Sequence, residues 1–247
     1  MLKFKHYLLI GLSLMPCSAY SSELATDLDR SAQSVEANVI AWRRDFHQHP
    51  ELSNRETRTA ARVAEHLKSL GLEVTTGIAH TGVVGILKGG KPGGIVALRA
   101  DMDALPVKEM TGLPFASTVM ADYNGKSVPV MHACGHDAHV AMLMGAASVL
   151  TAQKQHLAGT VMFIFQPAEE GAPAGEEGGA ELMLKEGLFD DIKPDAVFSL
   201  HVGPGVSGSA AYRAGAAMAA SDRFHITLTG RQTHGSMPWF GVDPITL

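Results

Sequence analysis

V-M-F-I-F-Q-P-A-E-E-G, residues 161–171, joins five apolar residues to a polar exit carrying two adjacent carboxylates. The apolar part has strand length, and the pattern breaks at Gln166-Pro167. Runs of the same kind occupy 83–87, 95–98 and 196–200. Helical spacing lies between and before them. Residues 31–47 carry apolar side chains at Val35, Val39, Ile40 and Trp42, and Pro50 stops that helix. Residues 55–70 place Ala60, Val63, Ala64, Leu67 and Leu70 on one face, with Gly71 as C-cap. Residues 139–153 read as a small-residue helix packed on a sheet, and 179–187 as another helix. Strands alternating with helices imply an α/β layered domain.

In such sheets ligands bind beyond the carboxyl ends of the strands. Asp101 and Asp103 follow the run at 95–98, Glu169 and Glu170 follow 161–165, and His201 follows 196–200. Three strand ends thus deliver polar groups to one edge. A fourth segment, H-A-C-G-H-D-A-H at 132–139, adds Cys134 and His136. Thiolate, imidazole and carboxylate are ligands that borderline divalent metals prefer. A lone cysteine beside glycine is more often a core residue. Here His132, Asp137 and His139 surround it, and so many titratable groups are costly to bury without a metal or a network. His132 and His139 read as supporting or packing residues. The doublet Glu169-Glu170 lets one carboxylate bind metal while its neighbour stays free as a base, the pattern of metal-assisted hydrolysis. The plainer reading, a solvated acidic turn like Glu176-Glu177, is weakened by the buried strand before it. Asp101 and Asp103 are two apart, so in extended backbone they point the same way and need a compensating cation or hydrogen bonds. Capping of a turn before Pro106 is their alternative role. His66, His80 and His156 read as surface.

The chain has 247 residues, 46% of them hydrophobic, enough for one large domain or one domain and part of another. Net charge is −5 with no basic block, which argues against nucleic acid as a partner. Lys3, Lys5 and His6 precede an apolar run at 7–15, followed by Pro16, Ser18 and Ala19. This start suits a signal peptide over 1–19, and export to the periplasm or medium. The run is too short for stable membrane insertion; a retained N-terminal anchor is the competing reading. Cleavage after Ala19 leaves Cys134 as the single cysteine, so no internal disulfide is expected. From about 222 the pattern changes. R-F-H-I-T-L-T-G, 223–230, alternates like a half-exposed strand, and P-I-T-L, 244–247, reads as the opening of a helix. The expected organisation is a metal-binding domain over 31–221 and the start of a second domain over 222–247.

The motifs F-H-Q-H-P-E-L-S (46–53), A-L-R-A-D-M-D-A-L-P (97–106), M-H-A-C-G-H-D-A-H (131–139), Q-P-A-E-E-G (166–171), L-H-V (200–202) and G-R-Q-T-H-G-S-M-P-W-F-G-V-D-P-I (230–245) resemble those of the M20 metallopeptidase family, in particular its amidohydrolase branch. The resemblance implies a central mixed sheet flanked by helices, plus a smaller α+β lid domain used for dimerisation, of which only the beginning is present. It implies Cys134, His136, Glu170 and His201 as metal ligands and Glu169 as general base. Asp103 matches the aspartate that orients the site, and Asp101 stands where the wider family has a histidine. His234 matches the lid histidine that approaches the substrate carbonyl. It further implies two divalent ions, Zn2+ or Mn2+, with Co2+ a further option, and a homodimer acting on small N-acyl amino acids or related amides. Family members take one more histidine ligand from a C-terminal segment that this sequence does not contain. The expectations are therefore three: a metal-dependent amidohydrolase; a truncated, metal-binding but inactive fragment; or an aminopeptidase or dipeptidase with a similar site.

Overall fold

The structure is a computed structural model describing residues 18–216, 218, 224 and 226–246, with side chains from Thr26 onward. The expected leader's basic and apolar parts, 3–15, lie outside the described residues. The described residues fall into two compact units, divided between Gly203 and Pro204.

The first unit is built on a five-stranded sheet. In chain order its strands are β1 (Glu73–Ile78), β2 (Gly82–Lys88), β3 (Lys91–Asp101), β6 (Ala158–Gln166) and β7 (Ala196–Ser199). A separate hairpin, β4 (Met120–Tyr123) and β5 (Lys126–Pro129), lies between β3 and β6 in sequence. The spatial order is β1-β2-β6-β3-β7. β1–β2 and β2–β6 are antiparallel, whereas β6–β3 and β3–β7 are parallel, so the sheet is mixed.

The packing of β6 explains its unbroken apolar run from Val161 to Phe165. Phe163 and Phe165 point to one face, against Val83 and Leu87 of β2. Met162 and Ile164 point to the other, against Val84 and Ala97. A strand covered on both faces reads as a continuous apolar run, not an alternating one. Three helices cover the first face: α1 (Ser18–Gln48), α2 (Thr57–Ser69) and α3 (His136–Ala152), through Phe46, Val63, Leu67, Val140 and Met144. The short helix α4 (Gly179–Lys185) covers the second through Met183. Full burial of a phenylalanine such as Phe163 contributes about 1.5–3 kcal/mol. α3 crosses α1 closely at Gly145, where a Cβ would lie 2.6 Å from Val39 Cγ2. The small residues of α3 thus serve the contact with α1 as well as the sheet.

Four local expectations are revised. β3 runs on past Leu98 to Asp101, because β6 pairs with it up to Gln166. α3 starts at His136 rather than 139, with Asp137 in the first turn where the helix dipole favours an acid. In the second unit, Phe224 and 226–230 are not strand. Alternation marks a face that could be buried, but a strand also needs partner N–H and C=O groups. Among the described residues of this unit, only Arg231 and Val242 form such a bridge. Pro244 and Ile245 form a bend, not a helical turn. The hairpin β4–β5, which the sequence reading missed, turns on Asn124-Gly125, whose φ values of 53° and 74° suit a type I′ turn.

Candidate metal centre

β3, β6 and β7 run parallel, so their carboxyl ends meet at one edge of the sheet. β3 ends on Asp101, and Asp103 follows two residues on. β6 ends on Gln166, and Pro167-Ala168 lead into Glu169-Glu170. Beyond β7, Leu200 leads to His201. The N-terminus of α3 arrives at the same edge with Cys134 and His136. Gly135 between them has φ 89°, and a Cβ there would collide with the Val202 side chain. A residue without a Cβ is therefore needed for the His201 segment to close on α3.

His136 is the centre of the cluster and is fully buried. Its Nδ1 lies 3.3 Å from Asp103 Oδ1. Its Nε2 lies 3.7 Å from Asp101 Oδ1, 3.8 Å from Glu169 Oε2 and 4.0 Å from Glu170 Oε1. Neither nitrogen makes a well-aligned hydrogen bond. Cys134 Sγ is 3.4 Å from His201 Nε2. Two donor sets, Cys134–His136–His201 and His136–Glu169–Glu170, each converge within 4.8 Å, as does a third, Asp101–His136–His139. A buried imidazole with unbonded nitrogens is costly, and here thiol and carboxylates surround it. That donor set fits a borderline divalent ion.

The supporting groups fix which atoms face inward. His201 Nδ1 lies 2.6 Å from the Val202 carbonyl, which only an N–H can satisfy, so its Nε2 is left bare toward Cys134. His139 is committed elsewhere. The Val202 N–H donates to its Nε2 (2.9 Å), so its Nδ1–H must donate to Asp101 Oδ1 (2.5 Å). His139 thereby ties the His201 segment to β3 and has no nitrogen free for a metal. Asp101 also accepts from Arg99 at 2.7 Å. Burial opposes its ionisation, but His139 and Arg99 outweigh it and hold the carboxyl down at about 2. Asp103 Oδ2 accepts from the Ser53 hydroxyl (2.8 Å) and the Glu170 N–H (3.0 Å). Burial again opposes, and His136 with these two donors keeps its pKa low.

The charge balance is acidic throughout. Burial lowers the affinity of His136 for a proton, yet Asp103, Asp101 and Glu169 raise it on balance. Burial first, then Glu170, Glu169 and Asp101, push the Cys134 thiol up to about 12. Burial and the neighbouring Asp101 also raise Glu169. The distances to His136 do not separate Glu169 from Glu170. Of the two, Glu170 acts more strongly on the Cys134 thiol.

Other histidines have varied positions. His132 is buried with neither nitrogen bonded, and burial pushes it down to about 4, so it is neutral. His80 and His156 are exposed. His66 is not a surface residue: it is half-buried between α2 and α3, with Nε2 3.0 Å from the Met144 carbonyl and its ring 4.7 Å from Trp42. It sits next to Leu67 on the side of α2 that meets α3. His234, in the second unit, is exposed, with Nδ1 2.9 Å from Ser236 Oγ. Sequence reading missed two buried groups. His47 lies between Asp137 (2.8 Å) and Glu109 (3.0 Å). Glu56 reaches Thr81 and Ala168. The histidines of F-H-Q-H-P were a visible signal for the first; nothing local marked the second.

Residues 97–240 match Peptidase family M20/M25/M40. The chain is 45% identical to thermostable carboxypeptidase 1 of Saccharolobus solfataricus, over 90% of this chain and 54% of that protein. It is 41% identical to an N-acyl-L-amino acid amidohydrolase of Geobacillus stearothermophilus, over 90% and 56%. Among solved structures it resembles a dinuclear metal-binding peptidase of the M20 family from Bacillus subtilis, with TM-score 0.60 and 40% identity over 70% of this chain and 44% of that one. The chain spans about half the length of the relatives it matches.

Proposed function

Because the chain belongs to peptidase family M20/M25/M40, we propose that it carries the metal centre of a hydrolase cleaving the amide bond of N-acyl amino acids or related small conjugates. The observation that carries this reading is the buried His136 imidazole, unbonded and ringed by Cys134, His201, Glu169 and Glu170. Cys134, His136, Glu170 and His201 hold the metal. A bound divalent ion supplies Lewis acidity toward a carbonyl oxygen and acidifies water. Glu169, with its raised pKa, takes a proton from the attacking water and returns it to the leaving amine nitrogen. Asp103 orients His136 and, through the Glu170 N–H, the carboxylate pair. His234 is assigned to the substrate carbonyl on its motif alone.

The two named relatives support an amide substrate whose leaving group is an amino acid: one is an N-acyl-amino-acid amidohydrolase, the other a carboxypeptidase. The competing aminopeptidase reading requires a free amino terminus in the substrate. Metal analysis of the purified chain should give at least one tightly held Zn2+, Mn2+ or Co2+. Hydrolysis of N-acetyl amino acids against the matching free-amine dipeptides then discriminates the two reactions. A chain that takes up none of these ions removes the proposal. Export is proposed from Lys3, Lys5, His6 and the apolar run at 7–15; an N-terminus near Tyr20 on the secreted protein supports it, and an intact Met1 on soluble cytoplasmic protein counts against it.

A further inference from the structure

We propose that Glu56 is a positioning residue for the carboxylate pair, holding through the backbone N–H of Ala168 the turn that presents Glu169 and Glu170. This rests on the assignment of those two carboxylates to the metal centre. Glu56 is fully buried at the start of α2. Its Oε1 accepts the Ala168 N–H at 2.9 Å, across 112 residues of sequence. Its Oε2 accepts the Thr81 hydroxyl at 2.5 Å, which fixes the side chain against the start of β2.

Ala168 is 4% exposed and has φ 49°, in the left-handed region that residues with a Cβ avoid. A buried N–H must find an acceptor, and the preceding Pro167 has no N–H of its own. On the far side of Glu169, Asp103 accepts the Glu170 N–H. Two buried carboxylates therefore grip the backbone on either side of the candidate base. Burial raises Glu56 to about 7, an unfavourable placement that a residue merely filling space would avoid. Without its acceptor, Ala168 gains by relaxing to negative φ, and both glutamates swing with it.

The test compares Glu56→Gln, which keeps a carbonyl acceptor for Ala168, with Glu56→Met, which keeps the volume and loses the acceptor. Leu87→Ala, a core truncation at the far end of β2, is the stability control. Co2+ is titrated into the full chain and followed by its visible spectrum, and exchange of the Ala168 amide is followed by NMR without metal. Glu56→Met should lose about 10–100-fold in Co2+ affinity and lose protection of the Ala168 amide. Glu56→Gln should keep both, and Leu87→Ala should lower Tm while leaving Co2+ affinity unchanged. In an Ala168→Gly background, where the left-handed turn carries little cost, the loss from Glu56→Met should shrink; this background also serves if Glu56→Met alone does not fold. Unchanged affinity and spectrum in folded Glu56→Met, an equal loss in Glu56→Gln, or an undiminished loss in the glycine background overturns the proposal. If the unsubstituted chain takes up no Co2+, the metal reading fails, and the role of Glu56 is decided by the Ala168 amide alone.

Discussion

Replacing His47 with leucine should destabilise the fold, and the loss should depend on pH. His47 is 2% exposed. Its Nδ1 lies 2.8 Å from Asp137 Oδ2 and its Nε2 3.0 Å from Glu109 Oε1. Both carboxyls are held below their ordinary range against the effect of burial: Asp137 by His47 and Arg43, Glu109 by Thr111, Ser117 and His47. Ionised carboxylates only accept, so both ring nitrogens donate and the ring is an imidazolium. Its pKa is raised, with Asp137 as the largest influence, burial opposing and Glu109 adding. Removing one partner of a buried charge pair costs about 3–5 kcal/mol. Arg43 remains 2.9 Å from Asp137, and Ser117 and Thr111 remain on Glu109, so the lower end, about 3 kcal/mol, is expected. For a domain of this size that corresponds to about 6–12 °C in Tm. A group with a raised folded pKa stabilises fully below its ordinary value of 6.5 and loses that contribution as pH rises through the folded value. Urea unfolding of both proteins from about pH 5.5 to about pH 9 should therefore give a gap widest at the acid end. A gap under about 1 kcal/mol, or one flat across this range, refutes the imidazolium clasp.

Three further outcomes follow from the site. Cys134→Ala should cut metal affinity by at least the roughly 10–100-fold seen when a supporting partner is lost; unchanged stoichiometry and affinity in metal analysis would mark the cysteine as an inert packing residue. Glu169→Gln should keep metal and lose turnover of N-acyl amino acids by about 10²–10⁴, whereas Glu170→Gln should weaken metal binding first, and reversed results would exchange the two roles. Gly135→Ala places a Cβ at φ 89° against Val202; it should cost about 1–2 kcal/mol from the backbone alone and lower metal affinity by displacing His201, and an unchanged Tm with unchanged affinity would contradict the close approach.

Four of the five strands of the central sheet and the residue types at their ends were legible in the sequence, whereas β1 and the hairpin β4–β5 were not read. What was legible depends on local regularities: an apolar run of strand length, a break after it, and metal-ligating chemistry at the break. Because β3, β6 and β7 are parallel, three such breaks fall at one place, and Asp101, Glu169, Glu170 and His201 meet there with His136. Helix and strand ends drifted by a few residues, as at β3 and α3, because pairing across the sheet and the reach of α3 set them. The alternation at 223–230 named a face without naming a partner, and no strand formed in its described part.

Other features existed only once the chain had folded. His139 and His201 were told apart only in role by the sequence; the fold shows the atoms, a backbone N–H occupying Nε2 of His139 while Nε2 of His201 faces Cys134. Glu56 reads as an ordinary acid at a helix start, but folding buries it against the N–H of Ala168. His47 meets Asp137 across 90 residues and Glu109 across 62. Composition and spacing set which groups could do chemistry. Burial and contacts between distant segments set which atom of each group is free, which is charged and which holds another in place, because the dielectric and the hydrogen-bond partner at a side chain belong to its neighbours in space and not to its neighbours in the chain.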